Sequence, residues 1–572
     1  MIALEYMPPL MFAGLVVFML VGFPVAFSLL ALGLFFGVIA IEQGFFGISF
    51  LQAVPLRIFG SVIANDLLLA IPFFTFMGAI LEKCGLAEEM LDSMGQLFGP
   101  VRGGLGYSVI VVGFILGAIT GTVAAQVITM AMISLPVMMR YGYHVRYTTG
   151  VLAASGTITQ LVPPSLVLVV LADQLRTPTA SANVGSMYLG AWGPSLVQIG
   201  LFLLYTFILS RFRPDWLPAL PREARTLQGW PLYRQCLRGI IPSAILIFMV
   251  LGTMMLGVAT PTESGAMGAL GAVVLAVVRH PRFSRVDRRV LLAGMAGIVA
   301  AAALGLLFYE SGAGIVPAAR PYLKAALLVL YAALAWLIYR ATRIGELREL
   351  IVLGYQSTMR LTAMVVFILI GSTCFSVVFM GVDGAVWVEH LFAGLPGGWV
   401  GFLVVVNLFI FFLAFFLDFF EIAFIVVPIL APIAQKILAP VLLEQMGSPE
   451  AAASAALVWF GVMLCVNMQT SFMHPPFGFA LFYLRGVAPK EVKSADIYWG
   501  ALPWVALQLL MVALVVSFPQ MVTAFLEKGV PSTGNEGLMI ERSEMPDWSN
   551  PEAPVFDGEN NAAPDAAPAP SR

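Results

Sequence analysis

Apolar positions along most of this chain do not alternate with polar ones; they run on without interruption. Five stretches carry no Asp, Glu, Lys or Arg at all: Tyr6–Ile41, Gly103–Met139, Tyr147–Ala172, Thr177–Ser210 and Leu361–Val382. One helical crossing of a bilayer takes about 20 apolar residues. The longer runs therefore hold two crossings, or one crossing plus a piece that enters and leaves on one side. The pattern predicts an all-α polytopic membrane protein of roughly 12 to 14 membrane segments.

The polar interruptions inside these runs carry more information than the runs themselves, because one arrangement of them occurs twice. The first copy has Gly117-Ala-Ile-Thr-Gly-Thr-Val-Ala-Ala-Gln126, followed by Ser155-Gly-Thr-Ile-Thr-Gln-Leu-Val-Pro-Pro164. The second has Phe416-Leu-Asp-Phe-Phe-Glu421, followed by Asn467-Met-Gln-Thr-Ser-Phe-Met-His-Pro-Pro476. Non-helical backbone is tolerated at membrane depth only where protein buries it or it lines a watery cavity. Interrupted helices at corresponding places in two halves point to a transporter binding site.

Each interruption has a physical reading of its own. Thr120-Gly121-Thr122 falls at the centre of Gly103–Met139 and suits the tip of a helical hairpin, with carbonyl and hydroxyl oxygens of the kind a hard cation prefers. Taken alone, a Gly/Thr helix-packing face explains it equally well. Pro163-Pro164 removes donors and disfavours helix just before it, close to Ser155, Thr157, Thr159 and Gln160; a plain kink is the alternative. Asp418 and Glu421 lie between apolar runs. Ionisable groups there mark ion or substrate paths by default, and three residues apart on a helix they share a face; solvation at an interface is the other account. Asn467, Gln469, Thr470 and Ser471 precede Pro475-Pro476, and six residues separate Gln469 from Pro475 just as six separate Thr157 from Pro163. His474 reads as a hydrogen-bonded packing residue rather than a titrating one. Repetition of the whole arrangement argues against chance kinks.

Composition agrees with the pattern. Of 572 residues 60% are hydrophobic and 11% charged, against about 25% charged in soluble domains, so lipid must solvate the outside. A net charge of −2 names no partner, and nothing points to nucleic acid. Cys84, Cys236, Cys374 and Cys465 are isolated and read as packing residues. The N-terminal apolar stretch lacks a basic leader and reads as the first span. Arg211–Arg238 holds six Arg against two acids, Arg279–Arg289 five against one, and Arg340–Arg360 four against two. The positive-inside rule puts these loops in the cytoplasm, with a turn on the far side near Thr260-Pro261-Thr262-Glu263. Arg485, Lys490 and Lys493 mark another cytoplasmic loop, after which the last span leads outward. Residues 527–572, with seven Pro, nine acids and three bases, read as an acidic disordered tail. No HExxH, GxSxG, GxxxxGK[ST] or His/Cys ligand cluster occurs, so no catalytic residue or cofactor is assigned and the chain is not read as an enzyme.

These stretches resemble the large membrane (permease, DctM-like) subunit of the tripartite ATP-independent periplasmic (TRAP) transporters. The resemblance runs from about residue 5 to 525 and rests on Leu69–Gly78 with Leu81–Gly85, Gly117–Gln126, Ala153–Ser165, Ala259–Ser264, Phe416–Glu421 and Asn467–Gly478, in that order. Leu417–Glu421 and Phe477–Tyr483 resemble the branch labelled for mannitol or chloroaromatic compounds. Membership implies an inverted-repeat elevator-type transporter with two re-entrant helical hairpins and two broken helices in a bacterial inner membrane. It also implies a small four-helix membrane subunit (DctQ-like), a periplasmic solute-binding protein, Na⁺ as coupling ion and an organic-acid cargo. The Na⁺ role is carried to Gly121, Thr122, Ser155, Gly156, Thr157, Asp418, Asn467, Gln469 and Thr470. The substrate cavity is carried to Thr120, Gln160, Pro163, Pro164, Glu421, Pro475 and Pro476; many members have a small residue where Glu421 stands. The implied layout is scaffold helices over 1–102, transport repeat 1 over 103–176, scaffold and cytoplasmic loops over 177–286, an inserted helix pair over 287–345, scaffold over 346–398, transport repeat 2 over 399–490 and a last helix over 491–526. The insertion departs from the usual pattern. Two rival readings are a carboxylate symporter or antiporter working without a binding protein, and an intramembrane enzyme using Asp418 and Glu421.

Overall fold

The computed structural model describes residues 3–255, 259–280, 284–287, 289–290, 293–294, 297, 320–393, 396–415, 417–475, 478–526 and 528. The acidic tail and most of 288–319 in the insertion lie outside the described residues. Long apolar runs become helices because, in lipid, every backbone polar group must be satisfied within its own segment. Helices α1 (Met7–Val21) and α2 (Val25–Glu42) are followed by short bent pieces up to Leu69, then α3 (Ala70–Lys83) and α4 (Leu86–Phe98). The middle of the chain forms α5 (Gly104–Thr120), α6 (Val123–Arg140), α7 (Val145–Thr157), α8 (Leu166–Gln174) and α9 (Val184–Phe212). Then come α10 (Trp230–Met255), α11 (Pro261–Arg279), α12 (Arg320–Arg343), α13 (Gly345–Gly381) and α14 (Gly384–Ala393). The C-terminal third holds α15 (Gly398–Leu413), α16 (Val427–Met446), α17 (Pro449–Met468), α18 (Phe479–Val487) and α19 (Ser494–Ser517).

Ten described helices are long and apolar enough to cross a membrane, or eleven with the bent pair Ile48–Ile63 and Asp66–Lys83 counted as one span. This count covers full-length helices among the described residues; the expected 12 to 14 membrane segments also included pieces that enter and leave on one side, and the insertion, most of which lies outside the described residues. The helices α5, α7, α8, α15 and α18 each stop at a break, and at 17, 13, 9, 16 and 9 residues they are shorter than a crossing. The burial of the spans sorts them. In Pro449–Phe472, 89% of the apolar window is buried, against 22% in Leu4–Val21; the second interrupted helix is therefore the interior of the bundle, and α1 is a lipid-facing wall.

Hydrogen bonds gather the loops at two ends of the bundle. At one end His144 N donates to Trp216 O (3.0 Å), Gly103 N to Leu217 O (3.1 Å), and Arg146 pairs with Asp496 at 3.0 Å. This is the Arg-rich end, which the positive-inside rule assigns to the cytoplasm. At the other, Thr177 Oγ1 donates to Gln435 Oε1 (2.6 Å), Thr262 Oγ1 to Asp66 O (2.8 Å) and Gln445 Nε2 to Thr523 Oγ1 (2.7 Å). Thr523 follows α19, so the last span ends opposite the Arg-rich loops. The turn expected near Thr260 is a capping box: Thr260 Oγ1 accepts from Glu263 N, Glu263 Oε2 accepts from Thr260 N, and Pro261 takes the first helical position. In the insertion, Asp287 is buried and accepts from Ser284 N, Trp336 Nε1 (3.2 Å) and Arg340 Nε (3.0 Å). Its burial raises the pKa, but the Ser284 amide, the Arg340 guanidinium, the Ser284 hydroxyl and the Trp336 indole outweigh this and bring it to about 2.

Candidate functional site

Both copies fold in one way. In the first, α5 and α6 meet at Gly121, whose φ of +63° is a left-handed conformation that glycine adopts freely. Thr122 follows in extended backbone as the N-cap of α6. Then α7 runs to Thr157, a single 3₁₀ turn covers Ile158–Gln160, the chain bends through Pro163-Pro164, and Ser165 caps α8 by accepting from Val167 N at 3.1 Å. In the second copy α15 ends at Leu413, Asp418 caps the short helix Phe419–Glu421, a π-helical stretch covers Ile422–Val426, and α16 follows. Then α17 runs to Met468, a 3₁₀ turn covers Gln469–Phe472, and α18 starts at Phe479. A Pro pair removes two donors and disfavours helix at the residue before it; the first break contains Pro163-Pro164 and the second contains Pro475.

The copies also pack reciprocally. In the first, α6 lies against α18, the far half of the second broken helix; in the second, Phe419–Glu421, Ile422–Val426 and α16 lie against α8, the far half of the first. Each tip arm is therefore seated on the opposite copy.

Within the first copy Gln126 joins the tip arm to the break. Its Nε2 donates to Gly113 O (2.7 Å) and Ser155 O (2.9 Å), and its Oε1 accepts from Thr159 Oγ1. The helices touch closely: a Cβ on Gly156 would lie 2.1 Å from Val127 Cγ2, and one on Gly113 would lie 2.8 Å from Ser155 Cβ. In the second copy Asn467 plays a similar part, with Nδ2 donating to Asn407 O (2.9 Å) and Asn407 Oδ1 (3.0 Å).

The two breaks then meet each other. Thr157 Oγ1 donates to Ala154 O (2.9 Å), accepts from Gln508 Nε2 (3.0 Å) and lies 3.7 Å from Met473 Sδ. Cys465 Sγ donates to Gln160 O at 3.2 Å, and Gln469 Oε1 accepts from Gln198 Nε2 at 2.8 Å. Ser155, Thr157, Gln160, Asn467, Gln469 and Thr470 are all buried. Several of their polar atoms have no hydrogen-bond partner among the described residues: Ser155 Oγ, both amide atoms of Gln160, Asn467 Oδ1 and Gln469 Nε2. An unpaired buried polar group costs about 1–3 kcal/mol. A cluster of them, mostly oxygens, is a set of ready ligands for a cation or a polar cargo.

Most of the predicted residues thus come together. Gly121 and Thr122 form the first tip, near the backbone of Phe74 on α3; Ser155, Gly156, Thr157, Gln160, Pro163 and Pro164 form the first break; Asn467, Gln469, Thr470 and Pro475 form the second. Asp418 and Glu421 differ from expectation. They do not share a helix face, because Asp418 stands before the helix as its N-cap. Asp418 Oδ1 accepts from Glu421 N (2.9 Å) and Glu421 Oε2 from Asp418 N (3.0 Å), a capping box that meets orphan amides at a helix start. The side chain of Thr120, and Pro476, lie outside the described residues. His474 is buried between Phe415, stacked at 4.1 Å, and Phe411, edge-on at 4.4 Å; it packs as expected, but neither ring nitrogen has the expected hydrogen-bond partner among the described residues. Sequence reading assigned no role to Gln126, Asn407, Gln198 and Gln508. The available signal was weak: single amides in otherwise apolar helices.

Residues 12–307 and 288–521 match the family described as "Tripartite ATP-independent periplasmic transporter, DctM component". The C4-dicarboxylate TRAP transporter large permease protein DctM of Rhodobacter capsulatus is 24% identical over 524 residues, covering 89% of this chain and 96% of that one. The sialic acid TRAP transporter large permease protein SiaM of Vibrio cholerae is 22% identical, covering 87% and 93%. Among solved structures the Alcanivorax borkumensis YdaH transporter covers 83% of this chain and 88% of its own at 16% identity, with a TM-score of 0.42, a likeness too low to carry an argument.

Proposed function

Because the chain belongs to the DctM component family of the tripartite ATP-independent periplasmic transporters, multi-pass inner-membrane permeases and not enzymes, we propose that it imports a small organic acid driven by a Na⁺ gradient. A periplasmic binding protein delivers the acid, and a small four-helix membrane subunit (DctQ-like) completes the complex. The observation that carries this reading is the pair of breaks, lined by buried hydroxyl and amide groups and held against each other by Thr157, Met473 and Gln508. Na⁺ takes Gly121, Thr122, Ser155, Gly156 and Thr157 in one copy and Asp418, Asn467, Gln469 and Thr470 in the other. The acid sits between the two tips, beside Thr120, Gln160, Pro163, Pro164, Glu421, Pro475 and Pro476.

The reciprocal seating of each tip arm on the other copy supports one moving unit, residues 103–176 with 399–490, that slides against the remaining helices as an elevator. The two tips are re-entrant. The cargo is a carboxylate, as in the C4-dicarboxylate and sialic acid permeases of this family. Moving one net charge through 100 mV yields about 2.3 kcal/mol, about fifty-fold accumulation. Two Na⁺ entering with one monoanion supply that without ATP.

The test is uptake into vesicles holding the chain with its small subunit, with the binding protein and radiolabelled C4-dicarboxylate or sialic acid outside. Uptake should need inward Na⁺ and the binding protein. Thr157→Ala and Asp418→Ala should raise the Na⁺ concentration for half-maximal uptake. Uptake without the binding protein would favour a free-standing symporter, and an unchanged Na⁺ dependence would remove these residues from the ion sites.

A further inference from the structure

Two glutamines outside the repeated motifs do one job in opposite copies. Gln198 is fifteen residues after Asn183, the N-cap of α9; Gln508 is fifteen residues after Lys493, the N-cap of α19. Each helix follows the broken helix of its own copy. Each glutamine, however, reaches the broken helix of the other. Gln198 Nε2 donates to Gln469 Oε1 at 2.8 Å, and Gln508 Nε2 donates to Thr157 Oγ1 at 3.0 Å. Gln469 and Thr157 are the two residues that stand six before their Pro pairs. The repeat therefore extends one helix beyond its motifs, and its members are cross-linked.

Both glutamines have no solvent exposure, and the Oε1 of each is buried with no hydrogen-bond partner among the described residues. Apolar side chains of similar volume would fill these places without stranding an oxygen. The geometry of what each glutamine holds is the reason to have it. The Thr157 proton goes to Ala154 O and one Thr157 lone pair takes the Gln508 N–H, which leaves a single lone pair with a fixed direction. The Gln469 carbonyl oxygen, with one lone pair taken by Gln198, is fixed in the same manner.

We propose that Gln198 and Gln508 are a matched pair of positioning residues: each aims the oxygen of the opposite break at the bound cation and sets the cation affinity of that copy. This rests on the reading of the breaks as Na⁺ sites. A second consequence follows from the crossing of the clasps. The two copies share their ordering, so loss of one glutamine weakens the response of the whole site rather than half of it.

The experiment needs no transported acid. The full chain with its small subunit is purified, and the midpoint of thermal unfolding is followed as NaCl replaces KCl at constant ionic strength. The unaltered protein should be stabilised by Na⁺. Gln198→Met and Gln508→Met, which keep the volume and remove the amide, should each shift the half-effective Na⁺ concentration upward tenfold or more, with the midpoint in KCl close to that of the unaltered protein. If a Met variant does not fold, Gln198→Asn and Gln508→Asn replace it; these keep a neutral amide but withdraw its N–H by one methylene from the opposite break, and should show the same upward shift. Unaltered protein that ignores Na⁺ sinks the ion assignment and this pair with it. Variants that only lower the midpoint in KCl, while keeping the half-effective Na⁺ concentration, overturn the pair alone and leave the ion assignment standing.

Discussion

Replacing Gln126 with Leu tests whether one side chain joins the first tip to the first break. The change keeps the volume nearly constant and deletes the buried hydrogen bonds to Gly113 O, Ser155 O and Thr159 Oγ1, along with a longer one to Met130 Sδ. Two estimates bracket the cost. If every group were stranded, about 1–3 kcal/mol each would follow. Polar side chains between membrane helices average nearer 0.6 kcal/mol, because the unfolded chain in lipid finds partners too. The lower figure fits this site: Thr159 keeps its bond to Gly156 O at 2.9 Å, and Gly113 O lies inside α5. Three bonds then give about 2 kcal/mol. Equilibrium unfolding in mixed micelles would read it, with Thr159→Val and the double variant closing a cycle that isolates the pair. A loss under about 0.5 kcal/mol with uptake unchanged would refute the idea that this amide couples tip and break.

Gly156→Ala should place a methyl 2.1 Å from Val127 Cγ2 and cost about 1–3 kcal/mol; Val127→Ala in the same chain should restore much of the loss in an unfolding measurement. Asp418→Asn keeps an acceptor for Glu421 N, whereas Asp418→Ala loses the cap and about 1 kcal/mol. If Asn preserves stability but lowers Na⁺-driven uptake, the charge of Asp418 matters beyond its capping. Asp287 has a folded pKa of about 2, below the ordinary value near 4, so its stabilisation is full above pH 4 and is lost as pH falls toward 2. Asp287→Asn should therefore lower the thermal midpoint at pH 6, and that gap should close as the pH drops; a gap independent of pH would refute the ionic contribution.

What could be read from the chain alone follows from short-range rules. Uncharged runs must be helices in lipid, Pro pairs must break them, Gly121 permits a turn, and Arg-rich loops stay on one side. These rules located both tips and both breaks, and they placed the Thr260–Glu263 turn correctly. They left the number of full crossings open, because a run of 37 uncharged residues such as Gly103–Met139 reads the same whether its halves cross the bilayer or stop at a tip. They also misplaced Asp418 and Glu421 on a common helix face, since a spacing of three is shared by helix neighbours and by an N-cap with its third residue.

The amino-acid order thus determined where the helices run, where they stop and that the stops come in two matching sets, since each of these depends on neighbours a few positions away. Only the tertiary structure decided which polar side chains meet: Gln126 with Ser155 and Asn467 with Asn407 inside one copy, Gln198 with Gln469 and Gln508 with Thr157 across the two. The last two pairs lie 271 and 351 residues apart. No local propensity reaches that far, and an isolated glutamine in an apolar helix looks the same whether it faces lipid, a packed neighbour or the opposite half of a repeat. Packing of the two copies against each other chose the partners.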